Sequence, residues 1–371
     1  MFRLSTLLTH QVFDSWRQRG GAAPAPGRTT ETAGPRPLKV LFIIQGTDTP
    51  SSRVRVVDMI PELERHGLRS DTRIFPGTAR ERLELSWHCR DYDVVCIQKK
   101  LPSRLFLSLL RRFSRRLVFD FDDAIYCRHS SSQRRGGRSR GARFRNLLRQ
   151  CDLIIAGNRI LAEKARSVTG NPVAIIPSAV ETRDIPVKGE WNAKPVLGWV
   201  GGANNLPFLK LWQRPLSRLA ERHPFVLRIL SSEPIELEGV ETEFVPWSLE
   251  GQAREIAHFD VGLMPLPDDE HARGKCAYKA IQYLAAGIPA VVSDVGINGE
   301  VVRDGEHGHV VRNPAEVENA LAVLLADPAG SLAMGRRGRS WVDGRFSIEL
   351  NAPNLVSLLV SVSECGMSQT R

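Results

Sequence analysis

Apolar runs of strand length recur along this chain, each closing on glycine or a polar residue and each followed by a helix-length segment. The first, LKVLFIIQG, starts at Leu38; YDVVCIQ (92–98), RLVFDF (116–121), DLIIAGN (152–158) and VAIIPSA (173–179) follow. Runs that are apolar at every position belong to parallel strands covered on both faces. The series then restarts with PVLGWVGGANN and continues through FVLRILS (225–231), VETEFVP (240–246), DVGLMPLP (260–267), PAVVSDVG (289–296) and GHVVR (308–312). Two such alternations predict an α/β protein with two Rossmann-like, doubly wound domains, at 38–190 and 191–346. ETRDIPVKGEWNAK (181–194) reads as the joint between them. Parallel sheets bind ligands beyond the carboxyl ends of their strands, so two facing domains place a cleft between them.

The ends read differently. Residues 1–37 form an N-terminal arm and a flexible Gly/Ala/Pro-rich linker. In the arm, Leu4, Leu8, Val12 and Trp16 fit either a short amphipathic helix, lying on a membrane or docked on the protein, or a disordered leader. Residues 347–371 read as a C-terminal helix, which either stays with the second domain or crosses back to the first, and a tail. Pro61, inside TDTPSSRVRVVDMIPELERHG, predicts a kink or two successive helices.

No apolar run reaches the ~18–20 residues of a bilayer span, and MFRLSTLLTHQVFDSWRQRG lacks the apolar core and cleavage site of a secretory signal. Six scattered cysteines without a CxxC or Cys/His cluster read as buried free thiols in a reducing compartment. A cytoplasmic protein is expected, either free or peripheral on the inner face of the membrane. Between Lys99 and Arg149 lie 15 Lys and Arg against three Asp, more than enough to account for the chain's net charge of +10. Such a segment either meets an anionic membrane surface, together with the N-terminal arm, or is a solvated loop. Nothing in it has the aromatic-interleaved pattern of a nucleic-acid binder, and no nucleic-acid partner is expected.

RGKCAYKAIQYLAAGIPAVVSDVG (273–296) carries the sharpest chemical signal. It reads as a buried helix and strand, yet Arg273 and Lys275 stand at the helix mouth and Lys279 one turn inside. A helix turns by ~100° per residue, so Lys275, Lys279 and Gln282 fall within ~60° of one line. Cations at a helix N-terminus are unfavourable unless an anion docks there, where phosphate satisfies the free N–H groups and the cations together. The alternative is that both lysines snorkel to solvent.

The segment FDVGLMPLPDDEHARGKCAYKAIQYLAAGIPAVVSDVGINGEVVRDGEHGHVV resembles the donor-binding region of glycosyltransferase family 4, retaining enzymes of the two-domain GT-B fold. VLFIIQG with PSSRVRV is similar to a subgroup with P-S-S-R-x-R after the first strand, and FDFDDAIY, IAGN, IIPSAVET and GWVGG fall in the expected order across 38–345. The resemblance implies a hexosyltransferase-like enzyme acting in cell-surface polysaccharide or glycoconjugate synthesis. Its donor would be a nucleoside-diphosphate sugar and its acceptor a saccharide or a lipid-linked one. Lys279, with Arg273 or Lys275, would stabilise charge on the departing diphosphate. No permanently bound cofactor and no metal are expected. The family's Glu-x7-Glu pair is absent: Gly274 stands at the first position and Gln282 at the second. Gln282 can still bond ribose hydroxyls. The sugar contact of the missing first Glu would fall to Asp268, Asp269, Glu270 or backbone N–H groups.

Other donor-side candidates are Gly201 and Gly202, where a side chain would obstruct a diphosphate or where a tight turn needs glycine. Trp247 either flanks the base or belongs to the core, and Ser293 and Gly296 end the strand facing the phosphate helix. On the first domain, Ser51, Ser52 and Arg53 would bind phosphate or acceptor hydroxyls, with an N-cap serine as the plain alternative. Asp122 and Asp123, in DFDD with Asp120, would bind acceptor hydroxyls, although at least one of the three is expected in a salt bridge. A second reading of the whole chain is a catalytically degenerate GT-B scaffold that binds nucleotide sugar without turnover.

Overall fold

The computed structural model describes residues 36–130 and 138–365. The N-terminal arm with most of its linker, the middle of the arginine-rich segment and the last residues of the tail lie outside the described residues.

Two six-stranded sheets form the core. The first contains β1 (Leu38–Ile44), β2 (Leu68–Ile74), β3 (Val94–Gln98), β4 (Leu117–Phe121), β5 (Leu153–Ala156) and β6 (Val173–Ile175), in the order β2-β1-β3-β4-β5-β6. The second contains β7 (Val196–Val200), β8 (Val226–Ser231), β9 (Thr242–Pro246), β10 (Val261–Met264), β11 (Ala290–Ser293) and β12 (Gly308–Val311), in the order β12-β11-β10-β7-β8-β9. Every pairing is parallel.

The period of two explains how both faces of a sheet become core. On the first sheet Leu41, Ile43, Val95 and Ile97 point into one apolar cluster, while Val40, Phe42, Val94 and Cys96 point into the other. Strand β2, LRSDTRI, carries few apolar residues and lies at the sheet edge, where one long side needs no partner. Around Pro61 the chain forms successive helices, Pro50–Arg55 and Ile60–Arg65, separated by a 3₁₀ turn; Pro61 sits in the first turn of the second, where its missing N–H costs nothing.

The long C-terminal helix Ile348–Glu364 buries Ile348, Ala352, Leu355 and Leu359 against Val40, Phe42, Met59 and Leu63 of the first lobe. That spacing of four, three and four is one helix face, and truncating Leu355 or Leu359 to alanine is worth roughly 2–5 kcal/mol. All six cysteines are free; Cys127 is half-buried and Cys365 exposed, so burial holds for only four.

The lobes touch through the IAGN motif. Asn158 Oδ1 accepts from Leu161 N (2.9 Å) and its Nδ2 donates to Gly274 O (3.1 Å) and Lys275 O (3.2 Å) on the other lobe. A Cβ on Gly157 would lie 2.5 Å from Cys276 Sγ, and that thiol donates in turn to Asp122 O (3.2 Å). Glycine at 157 is therefore the condition for this close approach.

Candidate active site between the lobes

A cleft of about 470 Å³ opens between the sheets and is lined from both lobes. Its second-lobe wall is the helix Tyr278–Ala285 and the segment before it. That helix starts after Ala277, which is in the left-handed region (φ 52°), and no side chain caps it. A separate one-turn helix, Glu270–Arg273, comes first. Lys275 therefore sits in the joint between two helices rather than on the longer one. Lys275, Lys279 and Gln282 nevertheless all line the cleft.

Lys279 is half-buried, with its ammonium 5.3 Å from the Trp199 ring centroid. Among the described residues it makes no hydrogen bond or ion pair. Desolvation, reinforced by Lys275, pushes its pKa down to about 7 against the pull of Asp123. A Cβ on Gly201 would fall 2.6 Å from the Trp199 ring and 2.8 Å from Lys279 Cε, so this glycine lets the lysine lie across the floor. Gly202 has an ordinary φ of −72°, and a Cβ there would meet nothing, which removes the turn explanation and leaves only open cleft in front of it. Trp247, just after β9, lines the cleft and also packs on the second-lobe core, with Nε1 donating to Gln252 Oε1 (2.6 Å).

The first-lobe wall carries Ser51, Arg53, Lys99, Asp122 and Asp123. Lys99 Nζ lies 3.1 Å from Asp122 Oδ1, 2.7 Å from Asp123 Oδ2 and 3.0 Å from Ser51 Oγ, and Ser51 donates to Asp122. Burial alone would raise the Asp123 pKa, but Lys99 and Lys275 hold it well below the usual carboxylate range. The Lys99 ammonium moves the other way, raised by its two carboxylates despite burial. Lys99 is also a non-glycine residue at φ 59°, a conformation that costs about 1–3 kcal/mol and persists where surrounding contacts demand it. Its N–H bond to Asp120 O (2.7 Å) and the triple contact of its ammonium supply that demand.

DFDD divides. Asp120 takes a two-pronged bond from Arg55 (Nε–Oδ1 3.0 Å, Nη2–Oδ2 2.5 Å) inside the lobe, the expected salt bridge, while Asp122 and Asp123 face the cleft. The two serines divide as well. Ser52 is buried, accepting from Gln45 N (3.0 Å) and donating to Gln98 Oε1 (3.0 Å), so it lies behind the wall. Neither caps the helix, whose N-cap position is Thr49.

Four further candidates lie outside the cleft. Arg273 closes its own one-turn helix and turns outward to Asp268 (2.6 and 2.9 Å), leaving Lys275 and Lys279 as the cationic pair. Gly274 is at the contact between lobes: a Cβ there would lie 2.7 Å from Ala124 Cβ, so a glutamate at this position has no room. Ser293 Oγ accepts from Leu266 N (2.9 Å), tying two strand ends together. Gly296 (φ 65°) lets the chain pass the Arg273 carbonyl, which a Cβ would approach to 2.5 Å. The acidic stand-ins are engaged elsewhere: Asp268 with Arg273, Asp269 with Ala272 N (2.8 Å) and Ser130 Oγ (2.9 Å), Glu270 with Lys164 (3.3 Å). The carboxylates that do face the cleft come from the opposite lobe.

Sequence reasoning missed Lys99, Asp48, Ser178, Asn205, Ser232 and Gln252, all of which line the cleft. Lys99 had a usable signal, since it is the first residue beyond the apolar run of β3, at a carboxyl end. Ser232 has the same signal, one residue beyond β8, and Ser178 and Asn205 lie in IIPSAVET and PVLGWVGGANN, beyond β6 and β7; Asp48 and Gln252 carry no such local signature.

Residues 194–327 match the family described as glycosyl transferases group 1. No curated protein matches the chain in sequence. In structure the chain is similar to sucrose-phosphate synthase from Thermosynechococcus elongatus, with TM-score 0.67 and 16% identity, over 89% of this chain and 100% of that one. It is similar to HepE of Anabaena in complex with UDP and glucose, with TM-score 0.63 and 14% identity, over 87% and 100%. A glycosyltransferase from Rickettsia africae ESF-5 gives TM-score 0.67 at 11% identity, over 89% and 100%. The fold is GT-B. In this GT-B chain the matched stretch covers β7 to β12 and the helix that carries Lys279.

Proposed function

We propose that the protein is a retaining glycosyltransferase that moves a sugar from a nucleoside-diphosphate sugar to a hydroxyl of a saccharide or lipid-linked acceptor in cell-surface glycan synthesis. The observation that carries this reading is Lys279: a half-buried cation, its pKa pushed down to about 7, without a carboxylate bonded to it, at the uncapped start of a helix. Such a site gains most from a multivalent anion. HepE has been captured with UDP and with UDP-glucose, which supports UDP as the first nucleotide to test.

On this reading the diphosphate docks on Lys275, Lys279 and the helix N–H groups. Gln282, whose side chain has no hydrogen-bond partner among the described residues, meets the ribose, and Trp247 flanks the base. The acceptor hydroxyl lies toward Ser51, Asp122 and Asp123. In the transfer the anomeric carbon–phosphate oxygen bond breaks while the acceptor oxygen bonds to the same carbon from the same face. The acceptor proton passes to the leaving phosphate oxygen, and nucleoside diphosphate departs. Asp123, held well below the usual carboxylate range, is a weak base and leaves that role to the phosphate. Lys279 and Lys275 stabilise the charge that grows on the diphosphate, and the facing lobes exclude water.

The degenerate-scaffold reading is favoured by one observation, the lack of room for a glutamate at Gly274. One experiment separates the two: UDP and GDP sugars are screened by thermal shift, then incubated with acceptors, and release of nucleoside diphosphate is followed. Turnover that disappears in Lys279→Ala supports the enzyme. Binding without any turnover supports the scaffold, and no nucleotide binding overturns both. The basic segment 99–149 remains the proposed contact with an anionic inner membrane face; no helix among the described residues is long and apolar enough to cross a membrane.

A further inference from the structure

Arg53 is only 8% exposed, lines the cleft, and has two guanidinium nitrogens, Nε and Nη1, without a hydrogen-bond partner. The nearest carboxylate, Asp58 Oδ2, is 3.6 Å from Nε, which balances charge but is too long for a hydrogen bond. Ser178 lines the same cleft, is 1% exposed, and its hydroxyl is also unpartnered. Leaving buried donors unsatisfied is costly, most of all for charged groups. Two such groups on one wall point to a ligand that accepts hydrogen bonds. Arg55, two residues on, shows what this lobe does when an arginine is structural: its Nε and both terminal nitrogens bond Asp120 and Ile176 O.

A guanidinium fork and a hydroxyl match the oxygens of a phosphate or carboxylate. The other cations of the cleft do not serve that purpose. Lys99 is committed to Asp122 and Asp123, and Lys275 and Lys279 belong to the opposite lobe. We propose that Arg53 and Ser178 form an anion subsite on the acceptor side, so that this protein selects an acceptor bearing a phosphate or carboxylate group close to the reacting hydroxyl. The inference rests on the transferase reading for the word acceptor, whereas the subsite itself stands on the geometry of the first lobe. The hydroxyl is held at Ser51 and Asp122 and the charge at Arg53, two residues further along the same helix. An uncharged sugar would leave the guanidinium unsatisfied, and the site would discriminate against it.

The test uses the full chain and calorimetry. Protein saturated with UDP is titrated with inorganic phosphate, glucose 6-phosphate, glucuronate and glucose. Phosphate and one charged sugar are expected to bind beside UDP, with glucose at least tenfold weaker. The phosphate and uronate arms tell the two anions apart. Arg53→Gln should weaken the anion roughly 10- to 100-fold, the loss of one charge-assisted bonded pair, with UDP affinity unchanged. Arg53→Lys, which keeps the charge and loses the fork, should fall between, and a melting curve checks that each variant is folded. The proposal is overturned if no anion binds beside UDP, if Arg53→Gln and Ser178→Ala leave anion affinity intact, or if Arg53→Gln weakens UDP equally and so serves the donor. If UDP itself does not bind, the transferase reading fails, and phosphate titration of unliganded protein and Arg53→Gln decides the subsite alone.

Discussion

Two lysines line the same cleft from opposite lobes and have opposite electrostatics. Lys99 meets two carboxylates and a serine hydroxyl, and its pKa rises despite burial. Lys279 meets an indole ring and a neighbouring lysine, and its pKa is pushed down to about 7. Burial acts on both in the same direction; the carboxylates decide the sign of the outcome. One lobe supplies its own counter-ions and makes a preorganised polar wall. The other leaves its cation without a bonded counter-ion, which destabilises the lobe and prepares it for an anion from outside.

The largest expected effect is therefore at Lys279. Lys279→Met should abolish transfer and weaken UDP by roughly 100-fold or more, yet raise the melting temperature at neutral pH because a desolvated charge disappears. A variant that loses both stability and binding would break the comparison, because Lys279 would then be structural. Lys99→Met should do the reverse. It leaves Asp122 and Asp123 facing each other without a cation and should destabilise the protein by about 3–5 kcal/mol in denaturant melts, with UDP affinity little changed. The double variant Lys99→Met/Asp123→Asn should recover part of that loss.

The pH dependence follows from the same contrast. Lys279 titrates near 7 in the free protein and the anion prefers its charged form, so UDP affinity should hold below that pH and decline above it, by up to about tenfold per unit. The sign for stability is opposite. The unfolded chain holds this proton up to the ordinary lysine range, so the Lys279 contribution to stability should rise with pH from about 7 toward that range and be lost as pH falls through about 7. Calorimetry and melts across this window check both, and a flat UDP profile would place the diphosphate elsewhere. The smallest effects should come from Gln282→Ala, a few-fold loss of UDP affinity that is absent for 2′-deoxy-UDP if Gln282 bonds that hydroxyl, and from Gly274→Ala, a loss of about 1–3 kcal/mol by overpacking at the lobe contact.

Much of this architecture was legible in the sequence. Central strands such as β1, β3, β4, β7 and β11 are covered on both faces and therefore read as unbroken apolar runs. β2 was not legible, because an edge strand with the sequence LRSDTRI has neither apolar continuity nor clean alternation. In the cleft, Lys275, Lys279 and Gln282 were found because basic and polar residues stand out where the surrounding chain is buried. Arg273 is their neighbour in sequence, yet one turn of independent helix and a carboxylate five residues back carry it to the surface.

The sequence by itself determined which segments become parallel strands and which helix brings cations to their ends, because both depend on periodicity within a dozen neighbouring residues. Tertiary structure alone decided that Lys99 is neutralised while Lys279 is not, that Gly274 seals a contact with Ala124 where a larger side chain has no room, and that Arg53 is left with free donors at the cleft. Those outcomes depend on which charges and atoms from distant parts of the chain arrive within bonding distance, and electrostatic free energy in a desolvated cleft is set by such partners rather than by residue type.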